Sequence, residues 1–138
     1  VRTPSSMAHE YLHMIDHEHG NLSRKAGFQP LYNKYVELLE DAVSKAGRDS
    51  PIHAQWNGNK KYNRQYYTEP TEVFARCGEI YLTAVRNVHN SICMPEESFV
   101  YPKEPGFLAS TEAYYGALFE SFAKERKEKE KDHEDGTA

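Results

Sequence analysis

Three residues near the start of the chain have the types and spacing for metal chemistry. They stand in the run His9-Glu10-Tyr11-Leu12-His13. On an α-helix, residues four apart lie one above the other on the same face, so His9 and His13 can offer two imidazole nitrogens to one ion. Glu10, one position beyond the first imidazole, can act as general base toward a water that the ion activates. Such a set hydrolyses an amide bond. With seven histidines and many acidic residues in the chain, a chance match has odds on the order of a few per cent. The plainer alternative is a polar helix face in water.

The spacing has meaning only if these residues sit inside a helix, and the flanks say that they do. Thr3-Pro4 provides a capping residue and a proline suited to the first helical position, and Gly20 is a natural stop. Leu31 to Ala46 predicts a second, amphipathic helix, with Leu31, Tyr35, Leu38, Leu39, Ala42, Val43 and Ala46 on one face. Its role is core packing. Pro70, capped by Thr68 or Glu69, opens a third helix, whose apolar face runs from Val73 and Phe74 to Val88. The opposite stripe of that helix is Glu72, Arg76, Glu79 and Thr83. A charged stripe is ordinarily the wet side of a helix. Beside a metal site it is where a third ligand should be sought, and Glu72, in the first turn, is best placed to point at the first helix.

Between these helices, residues 48–68 read as a long connection holding Trp56, an Asn-Gly turn and Tyr62, Tyr66 and Tyr67, which suggests a cleft wall. Residues 90–107 carry three prolines and read as irregular. Ser110 or Thr111 should cap a last helix with Tyr114, Tyr115, Leu118, Phe119 and Phe122 inward, running out into the charged residues 124–138 as a frayed, solvated tail. His133 in that tail is a weak metal candidate. The expected organisation is one mainly α domain over 1–123, followed by the tail.

Composition narrows the function classes. The chain has 138 residues, 28% of them charged, and a net charge of −4, so nothing suggests a nucleic-acid footprint. No apolar run approaches the ~20 residues of a membrane span. Cys77 and Cys93 do not make a disulfide framework. If the third helix runs to about residue 90 they lie roughly 20 Å apart, and two free thiols favour a reducing, cytoplasmic setting. Val1 is no initiator methionine and eight residues precede His9, so the expectation is a fragment, a processed product or one domain of a longer protein.

Two third ligands compete. Written from His9 to His19 the segment is HExxHxxDxxH, which looks like the metzincin signature, with Ser91–Pro95 passing for a methionine turn. Asp16, however, occupies the place of the glycine that lets such a chain turn back. If the helix continues through residue 19, His19 lies ~15 Å along the axis from His9 and about 80° round it. His17 fails similarly. The other candidate is the downstream glutamate. The segment from Tyr67 to Tyr81, containing Glu72-Val73-Phe74-Ala75-Arg76-Cys77-Gly78-Glu79-Ile80-Tyr81, resembles the glutamate helix of lethal-factor-type metallopeptidases. It is still more similar to the zincin metallopeptidase-like domain of large polyvalent phage and plasmid proteins, and the similarity extends from His9 through Tyr101-Pro102 to about Phe122.

That resemblance implies a zincin-like helical domain with an HExxH helix, a downstream glutamate helix, and an upstream sheet absent or minimal. It implies His9, His13 and Glu72 as ligands of Zn²⁺, Glu10 as general base and Tyr67, or Tyr66, as donor to the oxyanion. Asp16 would orient a ligand histidine, and Gly78, where the family has Phe, would cost a packing contact. The implied function is a zinc-dependent metallopeptidase acting on a peptide or protein substrate, in the cytoplasm or delivered into that of a host. The alternative is a non-catalytic, zinc-stabilised module, part of a larger polypeptide or bound to a virion or assembly partner. A metal-free helical interaction domain is the third reading.

Overall fold

A computed structural model describes residues 4–86 and 99–136, with side chains over 7–86 and 99–131. The protein is mainly helical, with no strand among the described residues. Helix α1 spans Pro4–Glu18 and is followed by a 3₁₀ turn at Leu22–Arg24. Then come α2 (Gln29–Ala46), α3 (Pro51–Trp56), α4 (Arg64–Tyr67) and α5 (Pro70–Ile80). A π-helical turn at Tyr81–Val85 continues α5, and α6 runs from Pro105 to Gly136.

Helix α5 is the axis of the molecule. Every residue from Val73 to Ile80 is buried, because α1, α2, α4, α6 and the 3₁₀ turn all pack against it. A helix surrounded in this way has no wet face, so its polar stripe had to find partners inside the protein. The closest approach is between α1 and α5 at Gly78. A Cβ built there would lie 2.6 Å from a methyl of Leu12, a side chain that is itself wholly buried. The glycine is therefore what lets the two helices come this near, and a phenylalanine at the position would drive them apart. The expected loss of packing at Gly78 is corrected accordingly.

The remaining core is aromatic. Phe28, Phe74, Tyr114 and Tyr115 pack ring against ring, and Tyr81, Phe119 and Phe122 extend the cluster along α6. Burying each large ring stabilises the fold by about 1.5–3 kcal/mol. Three tyrosines also spend their hydroxyls on backbone carbonyls: Tyr35 on Val100 (2.7 Å), Tyr115 on Phe74 (2.6 Å) and Tyr32 on Thr68 (2.6 Å). This accounts for three of the ten tyrosines, since a phenol fills a core and also satisfies a stranded acceptor.

Several boundaries differ from the sequence reading. Residues 48–68 are not structureless: Ser50 caps α3 by accepting the His53 N–H, and Asn63 caps α4 by accepting that of Tyr66. The last helix begins earlier than Ser110, because the Glu104 carboxylate accepts the Gly106 and Phe107 N–H groups, each at 2.9 Å. It then runs as helix through the charged residues to Gly136. Cys77 is a buried free thiol. Cys93 and the run Ser91–Pro95 lie outside the described residues, as does the His133 side chain.

Candidate metal centre

Helix α1 packs along α5, and that packing closes the site. His9 and His13 face α5 one turn apart, and Glu72 sits between them in the first turn of α5. The Glu72 carboxylate spans the two imidazoles. Its Oε2 is 2.8 Å from His9 Nε2 and its Oε1 is 3.2 Å from His13 Nε2. One ligand atom from each of the three residues falls within 4.8 Å of the others. Donors held 2.0–2.1 Å from a tetrahedral centre lie roughly 3.3 Å apart; the two Glu72 contacts, at 2.8 and 3.2 Å, are near that spacing, and the set could hold one ion. Two imidazole nitrogens and a carboxylate are also the donor chemistry zinc takes in hydrolytic sites. The residues fit the ion. His13 keeps 30% of its side chain exposed, so the cluster opens to solvent on one side. A groove of about 420 Å³ leads away from Glu72 past Tyr66, Asn63, Gln65 and Lys61.

The stripe Glu72, Arg76, Glu79 is the polar seam of this helix pair rather than a wet face. Arg76, only 3% exposed, donates through Nη2 to Glu72 Oε2 at 3.3 Å. Its guanidinium lies 5.0 Å from the ring centre of Tyr66 and 4.7 Å from that of Tyr67, within the range of cation–π attraction. Glu79, equally buried, accepts from His9 Nδ1 at 3.1 Å and from the Tyr101 hydroxyl at 2.9 Å.

The other residues singled out by the sequence are placed as follows. Glu10 is exposed, one position along α1 from His9. The Tyr67 hydroxyl is 3.4 Å from Gln55 Nε2, whereas Tyr66 lines the groove together with Glu72. Burial and the neighbouring Glu72 charge both push the Tyr66 phenol up, which keeps it a proton donor. Asp16 does not turn toward the histidines. Its Oδ1 accepts the Ser23 N–H at 2.7 Å, tying the 3₁₀ turn to α1 after the chain reverses through Gly20 and Asn21, both at positive φ. His19 stacks on Phe122 at 4.3 Å and bonds the Ile15 carbonyl through Nδ1, so the structure does not bring it to His9. The sequence singles out Glu79 as part of the stripe, two turns beyond Glu72 on the same face, and Tyr101 only as part of the resembling Tyr-Pro segment; it shows neither the bond between them nor that from Glu79 to His9.

Electrostatics couple the cluster tightly. Burial lowers the tendency of His9 to hold its proton, but hydrogen bonds and charge from Glu72 and Glu79 outweigh it and lift the pKa to about 9. Burial raises Glu72, and the bonds from His13 and His9 more than reverse this, holding its carboxyl well below the usual range. The signs fix a pH window for the metal-free protein. A histidine raised from 6.5 stabilises the fold fully below pH 6.5 and loses that contribution as pH climbs through 9; a depressed carboxylate contributes above pH 4.5 and fails as pH falls below it. The contribution of this pair to the stability of the metal-free protein should therefore be greatest between about pH 4.5 and 6.5. The His9 contribution is on the order of 3 kcal/mol, and urea midpoints measured from pH 4 to 10 would show whether it is lost on the alkaline side.

No protein-family model, curated protein or solved structure matches the chain.

Proposed function

We propose that this chain is a zinc-dependent metallopeptidase domain of gluzincin type. The observation that carries the proposal is the convergence of His9, His13 and Glu72 from two helices that are distant in sequence, with Glu10 beside them on α1. The resemblance of these positions to zincin metallopeptidase-like domains supports the same reading. His9, His13 and Glu72 would hold the zinc, which when bound would polarise a water and lower its pKa toward ~7. Glu10 takes the proton of the attacking water and returns it to the leaving amine. Tyr66, which lines the groove with Glu72, would donate to the oxyanion. An extended peptide reaches these groups along the groove between Lys61 and Glu72.

The test is zinc stoichiometry by mass spectrometry on purified protein, followed by a peptide screen of the loaded form. One zinc per chain is expected, lost in His9→Ala and kept in His19→Ala, with cleavage that chelation abolishes. Zinc retained by His9→Ala but lost by His19→Ala would count against this ligand set. A second reading, a non-catalytic module in which zinc clamps α1 to α5, is favoured by one feature. Met7, Tyr11 and Met14 form an exposed apolar stripe along α1, each about half exposed, of the kind that meets a protein partner. On that reading zinc binds in the same ratio and no peptide is cut.

A further inference from the structure

We propose that Glu79 and Tyr101 form a latch that sets which nitrogen His9 presents to the metal. The inference rests on the zinc reading of the site. It begins with a buried carboxylate. Glu79 is 3% exposed, and a charge so placed must be satisfied by donors. Its Oε2 receives both the Tyr101 hydroxyl, at 2.9 Å, and His9 Nδ1, at 3.1 Å.

Geometry gives these bonds a consequence. Glu72 and Glu79 are seven residues apart, two helical turns, and so share a face of α5. The His9 ring lies between them, with Nε2 at the Glu72 end and Nδ1 at the Glu79 end. A proton kept on Nδ1 by Glu79 leaves the Nε2 lone pair directed at the point where His13 Nε2 and Glu72 also converge. The carboxylate further raises the basicity of that nitrogen toward a cation. His13 meets Glu72 through its own Nε2, at 3.2 Å.

Tyr101 acts through Glu79. It enters from the segment before α6, beside the buried Val100, whose carbonyl accepts the Tyr35 hydroxyl at 2.7 Å. That anchorage fixes the phenol, and the phenol fixes the carboxylate oxygen that His9 uses. Tyr101 is therefore a positioning residue, well separated in sequence from both α1 and α5.

The test measures zinc affinity by competition with a chelator, on metal-free full-length chains whose folding is checked by circular dichroism. Glu79→Gln keeps the shape of the side chain and removes its charge; affinity should fall about 10–100-fold. Tyr101→Phe removes one hydroxyl and should cost about 3–10-fold, the net worth of one hydrogen bond. In a Glu79→Ala background, Tyr101→Phe should cost nothing further. In zinc-loaded protein, nitrogen NMR should show the His9 proton on Nδ1, and that signal should broaden or shift in Tyr101→Phe. Wild-type protein that binds zinc while both single variants bind within twofold of it would overturn the latch and leave the metal site standing. Equal losses from Tyr101→Phe with and without Glu79 would also overturn it, since Tyr101 would then act by another route. Wild-type protein that takes up no zinc would sink the metal reading and the latch with it.

Discussion

Glu72→Ala is expected to abolish tight zinc binding and also to destabilise the metal-free fold by roughly 3–5 kcal/mol. The second effect follows from what else the carboxylate holds. Glu72 meets His9 at 2.8 Å, His13 at 3.2 Å and Arg76 at 3.3 Å, so its removal strands a buried guanidinium and an imidazole that otherwise carries a proton. Two tyrosine faces remain against Arg76, but cation–π attraction is worth only about 1–2 kcal/mol. Glu72→Gln keeps an acceptor oxygen and should be milder for the fold, about 1–3 kcal/mol, while still losing zinc. The compensating change is diagnostic. Arg76→Met in the Glu72→Ala background removes the stranded charge and should recover part of the lost stability, as replacing buried ion pairs by apolar side chains often does. Urea midpoints of the four proteins, read beside zinc affinity, separate the two roles. A Glu72→Ala chain as stable as the parent would show that the carboxylate does not hold this seam together.

The same residue shows where sequence reading works and where it stops. His9 and His13 were legible because helical periodicity puts residues four apart on one face regardless of tertiary structure. Glu72, Arg76 and Glu79 were legible as a stripe for the same reason. Their inward orientation was not, because a charged stripe on one helix looks alike whether it meets water or another helix; only the packing of α1 against α5 decides it. Gly78 illustrates the limit. Compared with a family pattern it was a missing aromatic, but what matters is its 2.6 Å approach to Leu12 across the helix pair, which no single-element pattern encodes. Asp16 was misjudged for a related reason. It lies near the histidines in sequence, yet the reversal at Gly20 and Asn21 brings Ser23 back to it. The caps at Ser50 and Asn63, by contrast, were readable in the Ser-Pro and Asn-x-x patterns. The aromatics of residues 48–68 obscured them by suggesting one continuous wall.

Glu10→Gln should leave zinc content and stability unchanged and lower peptide cleavage by about 10²–10⁴-fold. Glu10 is exposed on α1, outside the core that Ala8, Leu12 and Ile15 build on the other side of the helix, so an isosteric amide should shift stability by no more than about 0.5 kcal/mol. The ligand atoms of His9, His13 and Glu72 do not pass through it, so metal affinity has no reason to move. What the amide removes is a basic oxygen able to take a proton from water and hand it to the departing amine, a function glutamine lacks at any pH. The comparison is of initial rates for zinc-loaded parent and variant, prepared side by side, on a peptide that the parent cleaves. Residual cleavage equal to the parent's would eliminate Glu10 as the base. If the loaded parent cuts nothing across a broad peptide set while zinc still raises its melting temperature, the ion serves as a clamp between α1 and α5. The Met7–Tyr11–Met14 stripe then becomes the surface through which the domain acts. On both readings His9, His13 and Glu72 would hold the metal, so Glu10 is the residue on which the two functions diverge.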